Sequence, residues 1–473
     1  MKKSVLILMT MILSFPLFAE QKAEKKDAPV KEHLQNHFKF YGFIRNYFVF
    51  DSRDSKAGTA DLFYYLPLDN KWNTSNVNNP AREDLNASPN FRFLALTSRV
   101  GVDVGGYFVK NVHFGAKVEA DFYSGLSKLS TNTGFSGNTN ISGTAAMRLR
   151  QAYATVTWKD LPLWDEETAQ VGLKIGQAWH PMAADMPHVF SLEAGAPFGP
   201  FSRTPQVTMD ASLGKNWVVS AAAIWQMQYQ SAGPDGSSAI YMKYGCTPEI
   251  YAAVAYKTKD FLVRGGVDLV SIKPRNIGVN EKGLVVHVKD RKTSVLGYLY
   301  GQYTYKMLQV KAKTTFGQGG EHMNLMSGYA VVDKSDPTDW KYASLLNSSS
   351  WVSASYGKKW QGVLFLGYVK NLGLAAPVAD GFVKKSDLYF CSNGFPTINQ
   401  MYRVNPQCLY NFGKFTVGLE YQWTAVQYGG YISGELKDTD EKVDILNGIG
   451  LPWKNTLHWV GNHRVNMMVK FTF

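Results

Sequence analysis

From His463 to Phe473 the chain alternates, and that alternation limits what it can become. Val465, Met467, Val469, Phe471 and Phe473 are apolar, while Arg464, Asn466, Lys470 and Thr472 between them are polar, with Met468 the exception. A period of two sends successive side chains to opposite faces of a strand. The pattern recurs over residues 94–104, 112–122 and 415–425, where Arg99, Asp103, Lys117, Glu119, Asp121 and Glu420 fall on the polar side. Charges repeated on one face of many strands do not suit the dry core of a sandwich. They suit a barrel whose inside is wet and whose outside meets lipid.

The start of the chain adds a compartment. Lys2 and Lys3 precede an almost wholly apolar run from Val5 to Phe18, and Ala19 is a small residue suited to cleavage. This reads as a secretory signal peptide over residues 1–19, too short for a membrane helix. Residues 20–37 are charged and carry Pro29, and read as a short periplasmic lead. No later stretch approaches the roughly 18 continuous apolar residues of a membrane helix. An exported chain without such helices is a soluble periplasmic β protein or a closed barrel, because only a closed sheet satisfies its backbone in lipid. The aromatic residues (Phe 27, Tyr 26, Trp 12) recur near segment ends, where the girdles of a membrane barrel would lie.

Connection lengths point the same way. Short links at 105–107, 214–216, 257–260, 306–308, 357–360 and 412–414 alternate with long polar stretches such as 52–90, 230–247, 321–349, 371–398 and 429–461. Short turns on one rim and long loops on the other are the periplasmic and external ends of such a barrel. The expected fold is an all-β, antiparallel transmembrane barrel over residues 38–473, with about sixteen strands. Segment 324–332 is the ambiguous one. Ending on Phe473, with Phe471 two before it, resembles the assembly signal of bacterial outer-membrane proteins. Lipid, lipopolysaccharide and the barrel-assembly machinery are the partners expected of a chain in the outer membrane of a Gram-negative cell.

Inside such a barrel, function rests on the constriction. The connection from Trp179 to Ser202 carries Pro181, Pro187, Pro197 and Pro200, many apolar side chains, Asp185 and Glu193. Solvated outside, so apolar a loop would be a sticky patch, so the favoured reading folds it inward. Asp185 and Glu193 are the acidic candidates it brings. Alternation places Arg45 and Arg99 on the inner face, with Lys117, Arg264, Lys311, Lys313 and Arg464. Arg148 and Arg150 join them if a bulge adjusts the phase. Inward basic residues outnumber Asp103, Glu119, Asp121, Asp210, Asp268 and Glu420, and a modest preference for anions follows.

The formal net charge of +12 is spread singly rather than as a stripe, so nucleic acid is not an expected partner. No cofactor is implied. Cys246 and Cys391 fall in external loops, and Cys408 lies too low on a strand to reach Cys391. His180 and His188 read as hydrogen-bonded loop residues rather than metal ligands, since no carboxylate cluster of metal spacing accompanies them. The competing functions are a substrate-specific channel for sugars or phosphate-type anions, with Trp179, Trp225 and the Tyr298–Tyr305 cluster as stacking surfaces, an enzyme barrel without an assembled catalytic group, and an adhesive barrel.

The runs FLALTSRVGVDV, AKVEADFYS, RLRQAYATVTW, KIGQAW and FSRTPQV, spanning roughly residues 40–210, resemble the DcaP-like porins. That resemblance implies a trimeric barrel, an inward third loop, and a positively lined constriction passing small organic anions. It makes Arg99, Arg150 and Arg203 the counterparts of the family's lumen arginines, with Arg45 of GFIRNYFVF as a further one. The chain departs from some members in lacking an N-terminal heptad helix.

Overall fold

The computed structural model describes residues 37–57, 64–72, 83–94, 98–123, 146–163, 167–191, 194–379, 383–391, 397–429, 442–443 and 457–473. The stretches 1–19 and 20–36, expected as signal peptide and lead, and Glu193 lie outside them.

The described strands form a closed antiparallel barrel of 16 strands. In chain order the first eight are β1 (Phe38–Asp51), β2 (Asn90–Leu94 and Arg99–Val109), β3 (Val112–Tyr123), β4 (Ala146–Pro162), β5 (Thr168–Trp179), β6 (Arg203–Leu213), β7 (Trp217–Ile224) and β8 (Glu249–Lys257). The second eight are β9 (Phe261–Ile272), β10 (Lys292–Tyr305), β11 (Leu308–Gln318), β12 (Lys341–Gly357), β13 (Trp360–Leu374), β14 (Ile398–Phe412), β15 (Phe415–Tyr428) and β16 (His458–Thr472). Each strand pairs with its neighbours in sequence, and β1 closes on β16 from Phe43↔Thr472 to Asp51↔Arg464. Closure leaves no edge of unpaired backbone for lipid to face.

Exposure alternates as the side-chain pattern requires. On β16, Val465 and Met467 are exposed while Arg464, Asn466 and Met468 are buried inside. Met468 thus belongs to the inner set, where it packs with Tyr47, Val49 and Leu94. Phe40, Ile44, Phe48 and Phe50 continue the outer apolar belt across the seam on β1. An arginine on the lipid face near the bilayer midplane costs about 2–4 kcal/mol. We therefore expect Val465→Arg to lower folding yield sharply, with Arg464 next to it harmless. Equal urea midpoints for Val465→Arg and wild type in vesicle refolding would show the outer face to be assigned wrongly.

The last residue finishes the seam. The Phe473 N–H donates to the Gly42 carbonyl at 3.0 Å, and the Gly42 N–H returns a bond of 3.3 Å. A Cβ at Gly42 would lie 2.5 Å from the Phe473 ring, so this glycine is what lets the terminal aromatic lie against the first strand.

Two local differences from the sequence reading have physical causes. The stretch 105–107 is not a turn: the strand runs on to Val109 through an irregularity between Val104 and Tyr107, with Gly106 at φ 78°. The turn falls at Lys110, whose φ of 53° suits a tight hairpin. The ambiguous segment supplies a short rim strand, Gly328–Asp333, which pairs with the outer end of β12 and with Leu388–Phe390. It adds no barrel strand. Cys246 and Cys408 are free thiols.

Candidate functional site

The third connection does fold inward, and the inner wall is built to receive it. Met182, Phe198 and Phe201 join Tyr251, Tyr298, Tyr300, Trp351 and Phe365 in one buried apolar cluster. Leu66, from the first long connection, reaches the same cluster. The lumen is therefore not wet throughout: the half lined by β8 to β15 is a packed core, because an apolar loop requires an apolar partner. Wall glycines make room. A Cβ at Gly367 would lie 2.4 Å from the Phe198 ring, and one at Gly418 would lie 3.0 Å from Phe190.

Polar anchors hold the loop in register. Lys313 donates to the Met182 and Asp185 carbonyls, and Lys311 donates to that of Met186 at 3.3 Å. The His188 N–H donates to Ser353 Oγ at 2.9 Å, and Phe190 donates its N–H to Gln407. At the far side Tyr47 on β1 donates to the Phe190 carbonyl. Lys311 and Lys313, which alternation places inside, thus serve the loop.

On the remaining inner strands stands a basic wall. Arg45 stands on β1, Arg99 on β2, Arg148 and Arg150 on β4, and Arg203 on β6. A register shift between Glu119 and Ala120 leaves Arg150 opposite no partner residue, and this bulge turns Arg148, Arg150 and Gln151 inward together. Arg148 binds Asp121 through two bonds of 3.0 Å each. Arg150 bridges Glu119 at 3.0 Å and Asp121 at 2.5 Å, and Arg99 approaches Glu119 at 3.4 Å. Trp179 lies beneath the guanidinium groups of Arg203 and Arg150, at 5.1 and 5.6 Å from its ring centre. Arg203 donates to Gln228 at 3.0 Å, and its Nη1 has no hydrogen-bond partner among the described residues. Arg45 stacks against Phe43 and Tyr47.

Three of the five arginines, Arg99, Arg148 and Arg150, thus pair with two carboxylates, Glu119 and Asp121, and the wall keeps positive charge after this pairing. In a narrow channel with low-dielectric walls such charge acts strongly on passing ions. Asp185 sits on the inward loop as expected, but its carboxylate is bonded to Arg264 on β9, so part of its charge is spent on anchoring. Sequence reasoning missed Trp179 as the platform for two arginines, although its place at the end of KIGQAW was visible. The proposed stacking surface does not form: Tyr298 and Tyr300 are buried under the loop, while Tyr303 and Tyr305 are exposed on the outer face.

His188 hydrogen-bonds Gln309 at 2.5 Å. Burial, and then the nearby Lys311, hold its imidazole below the ordinary value of 6.5, against the bond to Gln309. A depressed value means that the seated loop prefers the neutral ring. Its contribution to seating is complete above 6.5 and is lost as the pH falls from there toward the lowered value. We expect single-channel traces to become noisier on mild acidification in wild type, and less so in His188→Gln. Identical acid responses would remove His188 from loop seating.

The sequence matches no family model and no curated protein. Among solved structures, the outer membrane channel DcaP of Acinetobacter baumannii superposes with a TM-score of 0.58 at 14% identity, over 92% of this chain and 97% of that one. The anion-selective porin from Comamonas acidovorans gives 0.50 at 9% identity, over 92% and 99%. The fold is that of the outer-membrane porins, and its closed barrel and apolar belt fit the outer membrane of a Gram-negative cell.

Proposed function

We propose that this chain is a passive outer-membrane porin whose constriction favours small organic anions. The observation that carries the reading is the surplus of arginine on one stretch of the inner wall, where Arg45, Arg99, Arg148, Arg150 and Arg203 stand on β1, β2, β4 and β6. The names of the similar channels, one of them anion-selective, agree with it. Residues 1–19 act as the export signal and 20–37 as a periplasmic lead. The working form is a homotrimer in lipid and lipopolysaccharide. Reconstitution in planar bilayers tests the channel: ohmic steps with a reversal potential of anion sign in a salt gradient are expected. A silent barrel, or cation preference, overturns the proposal.

Phe471 and Phe473 serve as the assembly signal, and the seam bonds to Gly42 add a local reason for the terminal residue. Deleting Phe473 should lower the amount of heat-modifiable protein in outer membranes. Wild-type levels would reduce Phe473 to an ordinary strand end.

A further inference from the structure

The inward loop leaves the wall at His180, and there the fold gathers four residues that are far apart in sequence. His180 directly follows β5, Glu249 opens β8, Asp268 lies on β9, and His322 sits in the short turn Glu321–Met323 after β11. We propose that these four residues bind one divalent transition-metal ion, zinc being the ion that best suits two imidazoles and two carboxylates.

Their donor atoms all lie within 4.8 Å of one another. His180 Nε2 is 2.5 Å from Glu249 Oε1 and 3.8 Å from Asp268 Oδ1. His322 Nε2 is 3.2 Å from the same Glu249 oxygen and 3.7 Å from Asp268 Oδ2. Tetrahedral bonds to zinc place neighbouring ligands about 3.3–3.4 Å apart. The His322–Glu249 spacing of 3.2 Å lies close to that value, while those of 3.7 and 3.8 Å, which run to the two different oxygens of Asp268, are wider. The His180–Glu249 contact must open to admit the ion.

Charge makes the stronger case. All four side chains are at most 2% exposed. The cations around them are committed elsewhere: Lys292 to Glu321, Arg264 to Asp185, and Lys313 to carbonyls of the loop. His180 Nδ1 accepts the Met182 N–H at 3.1 Å. A divalent ion between the rings would set its two positive charges against the two carboxylates. Asp268 Oδ1 and His322 Nδ1 are buried with no hydrogen-bond partner among the described residues, and the first of these atoms faces the cluster. Such an orphaned carboxylate oxygen is what a bound cation would satisfy. Gln226 donates to the outer oxygen of Glu249 at 3.3 Å and orients it.

Binding has one local cost. With the ion on Nε2, the His180 ring proton moves to Nδ1, and the Met182 N–H must turn away. Ion loading is thus coupled to the first turn of the inward loop, Pro181–Ala183. Because the ion would join that loop to β8, β9 and the turn after β11, its role is structural. Its burial predicts slow exchange.

The test uses the full-length protein in detergent. Elemental analysis of protein extracted from outer membranes should find about one zinc per chain. Protein refolded with EDTA should take up one equivalent of Zn²⁺, or of Co²⁺ with the intense visible bands of a four-coordinate nitrogen and oxygen site. Asp268→Asn and His322→Gln should each retain below about a tenth of the wild-type ion, whereas His188→Gln, elsewhere on the loop, should retain all of it. If a cluster variant does not fold, the wild type decides alone. Folded, heat-modifiable wild type that neither carries nor takes up either ion overturns the proposal, as do folded cluster variants that keep it. Ion content is read without conductance, so failure here leaves the channel reading standing.

Discussion

Replacing Arg99 and Arg150 together by alanine should move the reversal potential in a salt gradient clearly toward cation preference. Both side chains pair with Glu119, and Arg150 also holds Asp121. The double change therefore subtracts two positive charges and strips Glu119 of both its arginine partners, while Arg148 still holds Asp121. The shift should be largest in dilute salt, where the Debye length is about 30 Å at 0.01 M, and should shrink as screening shortens it to about 3 Å at 1 M. Breaking a buried pair by removing one partner can cost about 3–5 kcal/mol. The folded fraction of the variant must accordingly be measured first. Arg148→Ala, which loses one bidentate partner of Asp121, gives a milder version with the same sign. Unchanged selectivity in both variants would place the selective constriction elsewhere in the barrel.

The second large effect concerns the loop. Gly367→Leu would drive a side chain into the Phe198 ring, which is 0% exposed and cannot swing aside. Overpacking a well-filled core costs about 1–3 kcal/mol. The barrel's backbone ladder on either side, β13 with β12 and β14, does not depend on that contact. The expected outcome is a folded barrel with an unseated loop, seen as a larger and noisier single-channel conductance. Phe198→Ala combined with Gly367→Leu should restore part of the wild-type conductance, because the small residue makes room for the large one. A Gly367→Leu channel indistinguishable from wild type would mean that the loop is held by its polar anchors alone, chiefly Lys313, Lys311 and the His188 contacts with Ser353 and Gln309.

The two predictions separate the two halves of the interior. On one side, charge is arranged on strands, with Arg150, Arg203, Glu119 and Asp121 buried among their partners. On the other, apolar side chains of a loop and a wall exclude water. Selectivity is expected to follow the first half and aperture the second. The cluster of His180, Glu249, Asp268 and His322 stands at the root of the loop, where its position is set.

How much of this was legible in the chain depends on how local the physics is. Alternation is a property of adjacent residues, so Val465 outside and Arg464 inside could be read directly. Sixteen strands could be counted from patterns and connection lengths. The apolar content of 179–202 was enough to turn that loop inward. Pairings between distant segments were not legible. The bulge that brings Arg150 inward depends on the register of β3 against β4, and one skipped residue reverses a side chain's face. Asp185 could be placed on the loop, but its bond to Arg264 follows from where the loop lands on the wall. His180 looked like an isolated loop histidine because its neighbours come from residues 249, 268 and 322. The sequence by itself determined the barrel, its two faces and the inward loop, since each follows from side-chain periodicity or net apolarity. Only closure of the tertiary structure decided which charges meet, because it brings together strands separated by hundreds of residues.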